Sequence, residues 1–248
     1  MGDGIDLTPT VIAMATLVHR EPLARSVINQ MLPQADAMCV CFSGYTKVPD
    51  WAERTENLIC VADPMNVLHD AGRFLWTKDY KDAYYFMVDD DIDYKPLYIE
   101  HMKFYMRQYF GKAVVSLLGR GYQYENKINY PEIVDSTHHG DYVHQRPILG
   151  SGVSMFHTKY IQFQDEDYFD CMANSDYMLA LKMASLGIPG YVVPRGTCLA
   201  TPREHECLIG TPSCGRTRKH NPIVKTKRKS MDDRIKWEIY RHKEITNE

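Results

Sequence analysis

The seven cysteines include no Cys-x-x-Cys pair, and their odd number suits no disulfide framework. Reduced thiols and a cytoplasmic setting are therefore the expectation. Nowhere does the chain approach the ~20 consecutive apolar residues of a membrane span, and its first residues lack the pattern of a signal peptide. A transmembrane segment is accordingly not expected. Positive charge is also in short supply: 29 Lys and Arg against 32 Asp and Glu give a net charge of −3, which argues against nucleic acid as the main partner. Internal repeats are missing as well.

What remains is ordinary for a globular chain. Its 248 residues are 44% hydrophobic and 25% charged. That length suits one large α/β domain or two small ones, and it allows roughly three quarters of the unfolded surface to be buried.

Apolar runs and turn residues predict the order of elements. Residues 10–17 read as a buried strand that ends at His19-Arg20-Glu21-Pro22. Pro22 suits the first turn of a helix whose Leu23, Val27 and Met31 repeat at four-residue spacing, until Pro33 stops it. Strands are expected at 37–42, closed by Ser43-Gly44, and at 58–61, running into Asp63-Pro64. Cys39 and Cys41 then share one strand face as small core residues. A helix over about 67–77 precedes a strand at 83–88. Alternating strands and helices of this kind predict a mainly parallel, three-layer sheet.

The second half is less regular. A helix is expected from Pro96 to about Tyr109, a strand at 113–118, a helix from about Asp176 to Leu186 closed by Gly187 and Pro189, and a strand at 191–193. Between them, Gly119 to Pro147 is polar and rich in Tyr and His, as a substrate loop would be. Beyond about Glu204 the apolar periodicity fades into a basic run from Arg216 to Lys229, and a final amphipathic segment surrounds Ile235, Trp237 and Ile239.

The densest chemistry lies at Asp89-Asp90-Asp91-Ile92-Asp93, directly behind the strand at 83–88. Each of these four carboxylates raises the others' cost of ionising. A divalent cation such as Mg²⁺ or Mn²⁺ relieves that repulsion, because hard ions prefer carboxylate oxygens. Ligands of open α/β sheets also bind beyond the carboxyl ends of the strands, which is where this cluster falls. A solvated acidic turn is the plain alternative. Asp70 and Arg73 sit three apart, as an intrahelical ion pair or as groups that reach a ligand. The histidines His138, His139 and His144 have spacing open to zinc, but no neighbouring cysteine or helix supports it, and an acceptor-binding loop with Tyr122, Tyr124, Tyr130 and Tyr142 fits better.

Five segments together resemble nucleotide-sugar glycosyltransferases of the GT-A fold, most nearly those of family 2. They are residues 15–23, Asp70-Ala71-Gly72-Arg73-Phe74, Val88-Asp89-Asp90-Asp91-Ile92, Gly150-Ser151-Gly152, and Asn174-Ser175-Asp176. Each is weak alone; their order and spacing over residues 10–205 carry the resemblance. It implies a three-layer α/β/α, Rossmann-like catalytic domain over 1–205, with a nucleotide-binding half (10–95) and an acceptor half (96–205), followed by a basic tail (206–248). The implied donor is a UDP-sugar and the implied acceptor a hydroxyl of a glycan, with Mn²⁺ or Mg²⁺ as cofactor. Thr16, Leu17, His19 and Arg20 would cradle the nucleotide, with Ser43 and Asp63 adding base or ribose contacts. Asp70 and Arg73 would reach sugar hydroxyls and the diphosphate. Asp89 and Asp91 would hold the metal, completed by His205, and Asp90 would turn toward the ribose or donor sugar. The loop Gly150-Ser151-Gly152 would line donor and acceptor, and Asp176 would be the general base of an inverting transfer.

Asp93 departs from the family pattern and leaves open a shifted Asp91-x-Asp93 metal frame. Asp176 is also open to a simpler reading, an acidic residue stabilising its own helix N-terminus. The basic tail would be solvated, would fold over the diphosphate, or would touch an anionic membrane surface at roughly 1 kcal/mol per basic side chain. A sugar-nucleotide nucleotidyltransferase is the rival enzyme, and the turn Val18-His19-Arg20-Glu21-Pro22 counts against it by lacking glycine. A glycan-binding module of the same fold is the non-catalytic rival.

Overall fold

The computed structural model describes residues 6–120, 142–168, 174–195, 199–203 and Arg234. In chain order its strands and α-helices are β1 (Thr10–Leu17), α1 (Glu21–Met31), β2 (Ala37–Ser43), α2 (Asp50–Glu53), β3 (Leu58–Asp63), β4 (Tyr84–Val88), β5 (Ile92–Tyr94) and α3 (Tyr98–Gln108). There follow β6 (Val114–Ser116), β7 (Gly119–Arg120), β8 (His144–Gln145), β9 (Ile148–Leu149), β10 (Val153–His157), α4 (Ser175–Leu186), β11 (Gly190–Val192) and β12 (Ala200–Pro202). Eight strands form one mostly parallel sheet in the order β3-β2-β1-β4-β10-β6-β11-β8. The first four are mutually parallel, β10 enters antiparallel between β4 and β6, and β11 returns parallel to β6. The sheet therefore runs without a break through both halves of the chain.

Alternation along the strands builds a core on each face. Ile12 and Met14 of β1, Met38, Val40 and Phe42 of β2, and Phe86 and Val88 of β4 point to one side. There they meet Val27, Ile28 and Met31 of α1 and Ile99, Met102 and Met106 of α3. Each such side chain, fully enclosed, contributes about 1.5–3 kcal/mol. The intervening Val11, Ala13, Cys39, Tyr85 and Met87 face the other side, against Tyr177, Leu179 and Met183 of α4 and Phe74. Cys39 and Cys41 are both buried, as their spacing predicts, and burial pushes their thiols up to about 12 and about 11. They are inert packing groups.

The segment expected as a helix over 67–77 is instead a short 3-10 run, His69–Phe74. Asn66 and His69 take left-handed backbone angles (φ 50 and 48), which break an α-helical path at that point. The run is fastened to the sheet rather than wound on itself. Tyr85 Oη donates to the Arg73 carbonyl at 2.7 Å, and Gly72 lies so close to Cys41 that a Cβ there would sit 2.5 Å from its sulfur. At the other end of the chain α4 closes at Gly187 in the left-handed conformation, as expected. No helix among the described residues is long and apolar enough to cross a membrane.

Candidate active site

The carboxyl ends of β1, β2 and β4 come together at one edge of the sheet. Leu17 is level with Ser43, and Met14 with Val88. From β1 the chain steps outward one way to β2 and β3, and later the other way to β4. That reversal is a topological switch point, where the diverging loops leave a crevice. A cleft of about 370 Å³ occupies it.

One wall is the turn after β4. The strand ends at Val88, so strand alternation does not carry into the acids, and Asp89, Asp90 and Asp91 all line the same cleft. Asp90 is almost fully buried. Its two oxygens are taken by Thr16 Oγ1 at 2.7 Å and by Arg20 Nη1 at 2.6 Å. The other end of the Arg20 guanidinium meets Asp91 Oδ2, also at 2.6 Å. Arg73, buried beneath, reaches Asp89 Oδ1 at 2.7 Å. Asp70 and Arg73 thus form no side-chain ion pair with each other. Burial, the largest effect, pushes Asp90 up to about 6 against the pull of Arg20 and Thr16. Burial also raises Asp89, opposed by Arg73 and reinforced by Asp91 and Asp176.

Asp89 is seated by two further contacts. Its backbone N–H donates to Tyr94 Oη, which in turn donates to the Gly152 carbonyl at 2.5 Å. Gly152 leaves the space that the carboxylate fills, since a Cβ there would lie 1.9 Å from Asp89 Oδ2. The glycine in this loop serves contact between two walls of the site.

The opposite wall is the start of α4. Asp176 Oδ1 accepts from both the backbone N–H and the hydroxyl of Ser151, each at 2.8 Å, and Oδ2 lies 3.5 Å from Arg120 Nη2. Its side chain is therefore turned across to the Gly-Ser-Gly loop and not onto its own helix end. The α4 terminus is instead satisfied by Asp70, whose Oδ2 accepts from Ser175 N–H at 3.1 Å and Ser175 Oγ at 2.9 Å. Ser175 Oγ also stands 2.6 Å from Ser151 Oγ.

Eleven of the expected site residues line this cleft: Thr16, Leu17, Arg20, Ser43, Asp70, Arg73, Asp89, Asp90, Asp91, Ser151 and Asp176. His19 is exposed outside it. The Asp63 carboxylate is also outside, accepting from the N–H groups of Val67 and Leu68 at 3.1 and 2.8 Å and so shaping the turn into the 3-10 run. Gly150 contributes its carbonyl to Ser154 Oγ beneath the loop. Asp93 points away, held by Lys95 at 2.7 Å, Gln30 at 3.0 Å and Arg203 at 3.6 Å. His205, the histidines His138 and His139, the tyrosines Tyr122, Tyr124 and Tyr130, and the basic run from Arg216 to Lys229 lie outside the described residues. Asn66 and His69 also line the cleft without having been singled out, Asn174 and Ser175 do so as neighbours of Asp176 in the segment quoted with it, and Arg120 borders the cleft through Asp176. Of these only Asn174 and Ser175 had a usable signal, their place beside Asp176 at a helix start.

The lining is chemically unbalanced. Five carboxylates face two guanidiniums, a formal surplus of three negative charges. Four buried polar atoms of lining residues have no partner among the described residues: Arg20 Nε, Arg73 Nη1, Asn66 Oδ1 and Asp70 Oδ1. Unpaired buried groups of both kinds, donors and acceptors, fit a ligand that carries anionic oxygens and hydroxyls. Hard carboxylate oxygens in excess fit a divalent cation. Among the described residues no group of three or more His, Cys, Asp or Glu side chains is arranged to hold an ion alone. The remaining ligands would have to come from a bound substrate or from His205. Compared with known proteins, the chain matches no family model and no curated sequence.

Proposed function

We propose that the chain is a metal-dependent, inverting glycosyltransferase of the GT-A fold, a three-layer α/β/α domain, moving a sugar from a UDP-sugar to a hydroxyl of a glycan acceptor. The observation that carries this reading is the meeting of Asp89, Asp90 and Asp91 with Asp176 in one cleft at the switch point of the sheet. Asp89 and Asp91 would hold Mn²⁺ or Mg²⁺, whose chemistry when bound is to neutralise charge on the departing diphosphate.

The rest of the work falls to the chain's own residues. Arg20 and Arg73, fixed by their ion pairs with the acids, would set positive charge beside the phosphate oxygens. Thr16, Leu17, Ser43 and Asn66 frame the end of the cleft where the nucleoside would lie. Asp70, which lines the cleft, would lie near the sugar hydroxyls. Asp90 acts indirectly, locking Arg20 and the end of β1. Asp176, oriented by Ser151, removes the acceptor proton as that oxygen attacks the anomeric carbon and the bond to the diphosphate breaks. Residues 119–147, which leave and re-enter the sheet region through β7 and β8, would select the acceptor.

Hydrolysis of a panel of UDP-sugars in Mn²⁺, repeated with EDTA, tests the reading. UDP release that EDTA abolishes is the expected result. Absence of both metal-dependent release and UDP binding across the panel contradicts it.

A further inference from the structure

The edge of the sheet opposite the cleft carries charge of the other sign. Thr8 leads into β1 there, Asp82 and Tyr84 open β4, and His157 ends the antiparallel β10. A second cavity, of about 310 Å³, lies among them and the turn that follows α3. Arg107 and Lys159 line it. Lys103 stands over the Tyr84 ring at 5.5 Å, and Lys112 and Lys159 stand over the Tyr160 ring at 5.8 and 5.9 Å. Among the described residues no carboxylate closes an ion pair with any of these four cations. Two acids accompany them: Asp6, which accepts from Tyr84 Oη at 2.8 Å, and Asp82, 3.5 Å from His157 Nε2. Four cations against two acids leave a formal surplus of two positive charges. The chain as a whole has a net charge of −3.

Large apolar side chains protrude among these charges. Leu7 is 84% exposed, Phe110 85% and Leu186 44%. Leu7 adjoins Thr8 in the chain, Phe110 lines the cavity beside Arg107 and Lys159, and Leu186 lies with Lys112 and Tyr160. Phe110 also holds a left-handed backbone angle, φ 52, directly before Gly111 at φ 75. A bulky side chain is strained in that region, where glycine is not. A ring left in solvent returns nothing to the fold for that strain, which points to a use outside folding.

We propose that this edge docks on an anionic membrane surface, with Phe110 entering the headgroup layer and Arg107, Lys112 and Lys159 lying among the lipid phosphates. Basic side chains with long apolar stems around an aromatic tip match that layer, which is apolar on one side and anionic on the other. A protein partner fits less well, because the core of a protein interface is depleted in lysine and is apolar without interruption. Here the apolar tips come from three separate segments with cations between them. The opposite signs of the two sheet edges also orient the molecule, turning the acidic cleft away from the lipid. Such docking requires nothing of the glycosyl transfer proposed above.

Co-sedimentation of the full-length protein with vesicles tests the proposal, using phosphatidylcholine alone and phosphatidylcholine mixed equally with phosphatidylserine. Binding to the mixed vesicles only, weakening as salt is raised, is the expected result. Joint replacement Lys112→Gln and Lys159→Gln should lower partitioning by about 25-fold, roughly fivefold per cation. Phe110→Gly should lower it by about tenfold while leaving Tm undiminished, since glycine suits the backbone angle at that position. No binding to the mixed vesicles overturns the proposal. So does wild-type partitioning by these variants when Lys225→Gln, Lys227→Gln and Lys229→Gln together abolish binding, because the contact then belongs to the basic tail. A fall in Tm for Phe110→Gly would make the ring a structural group and overturn its insertion.

Discussion

At the end of β4 the acids Asp89, Asp90 and Asp91 are each met by a guanidinium, whereas at the start of α4 Asp176 is met by the N–H and hydroxyl of Ser151 and only distantly by Arg120. The first group is welded into the sheet. Arg20 and Arg73 fix its charge, and Asp90 is sealed from solvent. The second is a carboxylate held by neutral donors, with Arg120 3.5 Å away. Fixed charge suits binding of an ion and a diphosphate, because little reorganisation is needed. A carboxylate held by neutral hydrogen-bond donors suits proton transfer. The contrast divides the cleft into a binding wall and a proton-handling wall.

The largest expected break in that contrast comes from pH acting on Asp90. Its carboxyl is raised from 3.8 to about 6 in the folded protein, mainly by burial. The folded state therefore holds a proton that the unfolded chain has released across that window. Stability from this group is fully present below pH ~4 and is lost as pH rises through 6, by about 3 kcal/mol. Urea unfolding from pH 4 to 7 should show that decline as a difference between wild type and Asp90→Asn. A constant difference across the window would contradict the burial account.

A smaller effect is expected where the two walls touch. Gly152→Ala places a methyl group within the Asp89 carboxylate, so either the loop or the acid must shift. The cost should be about 1–3 kcal/mol by thermal or urea unfolding, with weaker Mn²⁺–UDP binding measured alongside. Wild-type binding in this variant would free Asp89 of the role given to it.

The smallest effect sharpens the choice of metal frame. Asp93, partnered by Lys95 at the half-exposed edge of β5, is held below the usual carboxylate range chiefly by that hydrogen bond and by Gln30. Asp93→Asn should cost less than about 1 kcal/mol and leave Mn²⁺–UDP affinity unchanged. A loss of affinity would return the metal to the Asp91-x-Asp93 frame.

Legibility followed the length of the elements. The continuous apolar runs of β1, β2 and β4 were found within a residue or two of their observed ends, and with them the acid turn at the carboxyl end of β4; the switch point came only with the strand order. The 67–77 segment misled because its apolar spacing is helical while Asn66 and His69 interrupt the backbone, a local property that periodicity does not report. In the second half β7, β8 and β9 are two residues each, too short for alternation to register. Within the site, Asp176 was visible as an acid at a helix start, but its turn toward Ser151 depends on how the loop before β10 packs against α4. Asn66, His69 and Arg120 are single polar residues brought in by the fold. Asp63, by contrast, looked like a ligand at a strand end and is a turn-forming acid.

The division between the two walls is tested most directly by calorimetric titration of UDP with Mn²⁺ into Asp91→Asn and Asp176→Asn, followed by transfer assays on the same preparations. Asp176→Asn should bind as the wild type does while transfer falls by about 10²–10⁴-fold, and Asp91→Asn should lose binding of both metal and UDP. Near-normal transfer by Asp176→Asn, or undiminished binding by Asp91→Asn, would contradict it.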